Sequence, residues 1–363
     1  MDLAGRPRRS CLARRPHGAG HRRPTGGSPR SPPRVSAART RGVTGPTPVR
    51  TADGRLAGVL HDGGGAPAEH SPRPFLHPVS TPTGGTVSDC GPADHPWHWG
   101  LGIAVSNVAV AGQRYPVNLW GGPTYSEGQG YVQLPNNGSQ RGVDVGGDPG
   151  VLQRLEWCAA DGSAFLDEDR KWGARTVHAG ADWMLTSVRS RWVNTSAGAL
   201  AFGSPTTAGR ANAGYGGFFL RLASSFDGAD IVAGAAAGPD DPGHVPASSG
   251  PDDPGLAPGS TGAGSGIGSL SEEDAMGSRR SWLGLRSPTA SVLMVPAPGN
   301  PGGPSPWFVR SAGTPMLCAA PFFHSELHLG PGQAFDWGWS LLVADGRMSD
   351  SAFVDAAAAA IRS

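Results

Sequence analysis

From Thr51 onward the chain places bulky apolar residues in short runs, many alternating with polar or small ones, and cuts each run with Gly, Pro, Asn or Asp. Leu101-Gly-Ile-Ala-Val105, Trp183-Met-Leu-Thr-Ser-Val188, Ser190-Arg-Trp-Val-Asn194, Phe218-Phe-Leu-Arg-Leu222 and Ala334-Phe-Asp-Trp-Gly-Trp-Ser-Leu-Leu-Val343 are of this kind. Side chains of an extended strand point alternately to opposite faces, so a period of two reads as a strand with one buried face. Helical spacing is nearly absent until Ser349–Ile361, where a run of alanines follows a Ser-Asp-Ser start that offers N-caps. Many strands, hairpin-length gaps and no crossover helices predict an all-β chain: a large antiparallel β-sandwich with a short C-terminal helix.

Two segments break the pattern. Residues 233–280 are rich in Gly, Pro, Ser, Ala and Asp and contain Pro-Asp-Asp-Pro-Gly twice, at 239–243 and 251–255. Strand signals resume at Trp282-Leu-Gly-Leu285 and Ser291-Val-Leu-Met-Val295, so this low-complexity stretch reads as an insertion within one sandwich domain, 50–348, ahead of the helical segment 349–363. Residues 1–49 are Arg-, Pro- and Gly-rich with too few apolar groups to fold alone, and are expected to be disordered.

Composition agrees with a chain of turns and short strands, with 57 Gly and 35 Pro in 363 residues. The formal net charge of +1 conceals segregation: the first fifty residues hold twelve Arg against the single acid Asp2. The remainder is therefore acidic, which argues against nucleic acid as a partner of the folded domain. Nothing in residues 1–50 has the apolar stretch of a signal peptide, and no apolar run is long enough for a membrane helix, so a cytoplasmic protein without a membrane partner is expected. Cys11, Cys90, Cys158 and Cys318 lack CxxC spacing and read as reduced, structural thiols.

Candidate chemistry concentrates around Asp94-His95-Pro96-Trp97-His98. On a regular strand residues i and i+3 face opposite ways. Pro96 makes a regular central strand unfavourable, and a loop or bulge can aim both imidazoles into one cavity. Such a pair can exchange protons near neutral pH, hydrogen-bond sugar hydroxyls, or ligate a divalent metal with a third ligand from His77, Asp94, Glu127 or His324; a purely structural pair is the alternative. Trp97, Trp99 and Trp120 offer indole faces on which a sugar ring can stack, or are core; Trp337 and Trp339 read as core. Asn118 and Glu127 flank a glycine-rich turn where side chains converge on a pocket mouth, and Glu127 has the chemistry of a general acid or base. Arg210 precedes Gly214-Tyr215-Gly216-Gly217, and its planar fork suits a uronate, a keto-sugar or an oxyanion. No Gly-x-Ser-x-Gly elbow and no dinucleotide fingerprint is present.

Taken in order, Pro72-Arg-Pro-Phe-Leu-His77-Pro-Val79, Asp94-His-Pro-Trp-His98-Trp-Gly100, Asn118-Leu-Trp-Gly-Gly122, Gly209-Arg210 with Gly214-Tyr-Gly-Gly217, Gly277-Ser278 and Trp307-Phe-Val-Arg310 resemble the bacterial family catalogued as PmoA, over roughly residues 50–347. The family label implies an oxygenase with a redox metal at His95 and His98, and the context in which such proteins are encoded implies sugar metabolism. Leu327-His-Leu-Gly-Pro-Gly-Gln-Ala-Phe335 is similar to the last strands of galactose-mutarotase-like sandwiches, which implies an imidazole and a carboxylate as acid and base, with His324 nearby.

The expectation is a carbohydrate-active enzyme using acid–base chemistry, by epimerisation, elimination or hydrolysis, on a sugar or oxidised sugar. His95, His98, Glu127 and His324 are the candidate catalytic groups, and His77, Trp97, Asn118, Trp120, Arg210 and Tyr215 the candidate binding groups. A divalent metal at His95 and His98 is the possible cofactor, and a small sugar the expected partner. An oxygenase and a non-catalytic carbohydrate-binding sandwich are the alternatives.

Overall fold

The computed structural model describes residues 45–146, 150–236 and 268–362. Antiparallel pairing joins the strands Thr47–Arg50, Leu56–His61, Phe75–Val79, Leu101–Val105, Gly216–Arg221, Met316–Ala319 and Trp307–Arg310, in that spatial order, into a seven-stranded sheet. A nine-stranded sheet runs Gly268–Leu270, Asp230–Ala233, Leu283–Arg286, Ala290–Pro296, Ala334–Asp345, Asp182–Asn194, Ala164–His178, Val151–Cys158, Ser139–Gly146. The chain is thus an all-β sandwich of antiparallel sheets, with one short α-helix, Glu272–Ala275, besides the C-terminal one among the described residues.

The alternation that marks the strands also sorts their side chains between two cores. In the seven-stranded sheet Ile103, Phe218, Leu220, Trp307, Val309 and Leu317 enter the large core shared with the other sheet. Their sequence neighbours Ala104, Phe219, Phe308, Met316 and Cys318 form a separate cluster on the opposite face. The nine-stranded sheet is built the same way: Met184, Val292 and Leu341 belong to the shared core, while Trp183, Leu293 and Leu342 pack against the C-terminal helix. Ser349 caps that helix, its Oγ accepting from Ala352 N, and Ala352, Phe353, Ala356 and Ala360 close over the sheet. Small residues let the helix approach closely, which accounts for its alanine run. Trp337 and Trp339 are core residues, stacked at 5.3 Å.

Between the sheets lies a polar network rather than a purely apolar filling. Glu168 and Arg170 are two apart on one strand, so they share a face; both side chains are 0% exposed. The Glu168 carboxylate accepts from Arg170 Nε and Nη2 (2.7 Å each), Trp157 Nε1 (2.7 Å) and Ser190 Oγ (2.5 Å). Arg170 Nη2 also donates to Gln140 Oε1 (2.8 Å), and Gln140 Nε2 donates to the carbonyl of Ile103 (3.0 Å) in the opposite sheet. Burial of two charges is tolerable when each is paired and bonded in this way.

The sequence expectations need two corrections here. The first strand begins at Thr47, inside the segment 1–49 taken as a tail, because Pro48 and Val49 pair with Val59 and Gly58. Residues 268–280 are not part of a structureless insertion: Gly268–Leu270 pairs with Asp230–Ala233, and the Ser271 cap starts a helical turn that buries Ala275. A composition count cannot see a capped turn this short. Residues 1–44 and 237–267, with Cys11, lie outside the described residues; Cys90, Cys158 and Cys318 are free thiols. Among the described residues no helix is long and apolar enough to cross a membrane.

Replacing Glu168 by Gln leaves the Arg170 charge buried without a counter-charge, and the unfolding free energy is expected to fall by about 3–5 kcal/mol. Adding Arg170→Met is expected to recover much of that loss, since both charges are then gone. Urea unfolding of the two variants checks the pair of outcomes, and equal destabilisation by the single and double changes would show that the stranded Arg170 charge is not the source of the loss.

Candidate functional site

The outer face of the seven-stranded sheet is covered by loops, and between loops and sheet lies a cavity of about 480 Å³, a size suited to a small ligand. Its floor comes from strand residues Phe308, Arg310 and Met316, and its walls from His95, Trp97, His98, Trp120, Arg210 and Tyr215 on the loops and from Tyr131 on the short strand Gly130–Val132.

The histidine loop is pinned at its base by the Cys90–Trp99 bridge and by Gly91 N–H donating to the His98 carbonyl at 2.8 Å. Within it, His98 N–H donates to the His95 carbonyl at 2.9 Å, which makes His95 to His98 a four-residue turn. Pro96 occupies the second position, where its fixed φ favours a turn. The first and last residues of such a turn come together, and the His95 and His98 rings stack 4.6 Å apart at 19°. Buried Arg73 holds the loop from below: Nη2 donates to the Trp97 carbonyl (2.8 Å), Nη1 to those of His70 and Ser71 (3.0 Å each), and the guanidinium lies 4.9 Å over the Trp99 ring. Burial pushes its pKa down to about 9, which leaves it charged at neutral pH.

The two imidazoles differ in environment. His95 Nδ1 donates to Asp94 Oδ2 at 2.8 Å, and this bond holds the Asp94 carboxyl below the usual carboxylate range. His98 is 3% exposed, wedged edge-on between Trp120 (5.4 Å) and Phe219 (5.3 Å), and its Nδ1 has no hydrogen-bond partner. Burial, reinforced by the neighbouring His95, Arg221 and Arg73, holds its pKa well below 6.5, so the ring is neutral at pH 7. Behind it lies Arg221, buried, with Nε 4.0 Å from Asp89 Oδ2.

A second loop carries Trp120. Asn118 organises it: Oδ1 accepts from the N–H groups of Trp120 (2.9 Å) and Gly121 (3.0 Å), and Nδ2 donates to the Gly122 carbonyl and Thr124 Oγ1 (3.1 Å each). Gly122 has φ +66°, and a Cβ there would lie 2.5 Å from the Trp97 indole, so glycine is what lets the two loops touch. Tyr215 leans on Trp120 at 4.6 Å and on Phe308 at 5.6 Å. Its hydroxyl is 2.9 Å from that of Tyr131, whose oxygen also accepts from Arg210 Nη1. Burial raises the Tyr215 pKa well above 10, so the phenol keeps its proton.

Six of the sequence candidates therefore meet in one cavity: His95, Trp97, His98, Trp120, Arg210 and Tyr215. Others do not. Glu127 is exposed beside Gly209 and outside the cavity lining. His324 donates from Nε2 to the Gly277 carbonyl (2.8 Å) at the surface, and His77 Nδ1 sits 2.9 Å from Ser88 Oγ, away from the cavity. Asn118 is 1% exposed with its amide used up inside its own loop, so it positions Trp120 rather than touching a ligand. Trp99 is buried and donates from Nε1 to the Pro96 carbonyl (2.8 Å), a brace for the turn. No group of three His, Cys, Asp or Glu placed to hold a metal occurs among the described residues. None of the proposed third ligands joins the two histidines: Asp94 is the nearest in sequence and is engaged on His95. Tyr131 and Arg310 were missed as site residues; the signal for Arg310 was its place two residues after Phe308, on the same strand face.

No curated protein matches the chain. The motif order that resembles the PmoA family does not amount to membership in it or in the mutarotase-like sandwiches, and the oxygenase expectation loses the family label it rested on. What matches, over residues 49–359, is DUF6807, a family of unknown function. That match spans the sandwich from its first strand to the C-terminal helix, and the chain belongs to this family.

Proposed function

We propose that the protein is an enzyme of carbohydrate metabolism that moves a proton to and from its substrate in the aromatic cavity. The observation that carries this reading is the Asp94–His95 pair at the wall of a pocket floored and walled by Trp120, Tyr215 and Phe308. A carboxylate only accepts, so the bond from His95 Nδ1 fixes the tautomer and leaves the lone pair on Nε2. His95 is then a base whose imidazolium, once formed, is stabilised by Asp94. His98 stacks on it as a neutral ring and does not compete for the proton. Tyr215, protonated at any physiological pH, supplies a hydrogen-bond donor on the adjoining wall. Hydrolysis of a glycosidic bond ordinarily uses two carboxylates flanking the bond. Among the described residues no Asp or Glu lines the cavity, which favours epimerisation or elimination over hydrolysis.

A panel of aldoses, keto-sugars, sugar acids and their glycosides, assayed for isomer formation and for unsaturated products, tests this reading. With the substrate so found, His95→Ala and Asp94→Asn are each expected to lower kcat on the order of a hundredfold or more while leaving binding within a few-fold. Ligand binding without turnover by the unaltered protein would replace this reading with a carbohydrate-binding sandwich.

The neutrality of His98 has its own consequence. Its folded pKa is depressed, so below about 6.5 the unfolded chain binds a proton that the folded chain does not, and stability falls as the pH drops through that value. This group is expected to contribute a slope approaching about 1.4 kcal/mol per pH unit. Urea unfolding from pH 7.5 to 5 in the unaltered protein and in His98→Leu is the check; an unchanged slope in the variant would mean that His98 is not held neutral.

A further inference from the structure

The charges on the cavity wall are of one sign. Arg210 and Arg310 line it beside the His95 and His98 imidazoles, and among the described residues no carboxylate does. The two arginines are not equivalent. Arg310 Nη1 is 3.3 Å from Glu272 Oε1, and that carboxylate is also held by the Ser311 N–H at 2.8 Å, so part of the Arg310 charge is met from outside the cavity. Arg210 makes no ion pair with a described residue: its contacts are the neutral Tyr131, whose hydroxyl it donates to and over whose ring it lies at 4.6 Å. A guanidinium held by a phenol at the edge of an apolar cavity keeps its charge available to a ligand.

We infer that the ligand of this cavity is an acidic sugar, a uronic or aldonic acid, whose carboxylate is taken by Arg210 with help from Arg310 while its ring lies against Trp120 and Tyr215. This rests on the carbohydrate reading of the same site and narrows it. The planar fork of arginine matches the two oxygens of a carboxylate, and an indole and a phenol side by side suit the C–H face of a pyranose. Arginine pairs with phosphate as well as with carboxylate, so a phosphorylated sugar is the rival ligand, which titration separates from a sugar acid. A sugar acid also suits a histidine base. A carbon next to a carboxylate gives up its proton only if the charge that moves onto the carboxylate is met. As His95 Nε2 takes that proton, the C–H electron pair passes into the enediolate, whose oxygens face the guanidinium.

Calorimetric titration of the full chain with glucuronate, galacturonate and gluconate, alongside glucose, galactose, glucose 6-phosphate and benzoate, tests the inference. At least one sugar acid is expected to bind at least about tenfold more tightly than its neutral parent, with affinity falling as salt is raised. Arg210→Gln is expected to erase that preference without moving the melting temperature, since the side chain is exposed, and Arg310→Gln to reduce it less. Equal binding of neutral and acidic sugars, preference for the phosphorylated sugar, or a preference that survives Arg210→Gln overturns the inference and leaves the carbohydrate reading standing. Benzoate binding as tightly as the best sugar acid overturns both, because the ring then contributes nothing as a sugar.

Discussion

The alignment of the two sheets depends on one buried ion pair and the hydrogen bonds around it. Glu168 and Arg170 sit at 0% exposure between two sheets, where an unpaired charge of either sign would be intolerable. Their partners come from neighbouring strands: Trp157, Ser190 and Gln140. Gln140 carries the connection across to the Ile103 carbonyl, in the strand that directly follows the histidine loop. Apolar packing holds the sheets through interdigitated shape, and directional bonds add a second constraint on their alignment. A chain of short hydrogen bonds between fixed atoms has a single low-energy alignment, and the strand leading out of the site is one of the parts it aligns.

Above that frame the site is a problem in bringing loops together. The histidine turn is closed by its own hydrogen bonds and clamped by Arg73, while Asn118 closes the neighbouring turn. The two meet where Gly122 lies against Trp97. Neither turn needs a ligand to take its shape, because each backbone polar group named here already has a partner. Pre-formed walls let binding energy go into holding the ligand rather than ordering the protein.

Much of this was written locally, and local features were the legible ones. Alternating apolar runs gave away the strands of the sandwich, and Pro96 between two histidines signalled a turn, because both are set by covalent geometry over a few residues. The misplaced candidates were those whose meaning depends on which side of a loop they face. Glu127 follows the same glycine-rich turn as Trp120 but points to solvent, and His324 sits one residue beyond core residue Phe323 yet turns to a carbonyl at the surface. Tyr131 and Arg310 joined the site through pairings over long sequence separations, as in the Tyr131–Tyr215 contact, and no short window contains them. The buried pair was equally hidden, since Asp167-Glu168-Asp169-Arg170-Lys171 reads as an exposed charged strand until every second residue is seen to face inward.

The double-sided seven-stranded sheet gives its register an unusual role. In the hairpin of Trp307–Arg310 and Met316–Ala319, one parity of residues forms shared core and the other forms cavity floor. A slip of one position would send Arg310 inward among the aromatics and present Trp307 and Val309 to the ligand. The ladder of backbone hydrogen bonds thus acts as the partition between stability and recognition, and an insertion or deletion of one residue in this hairpin would exchange the two.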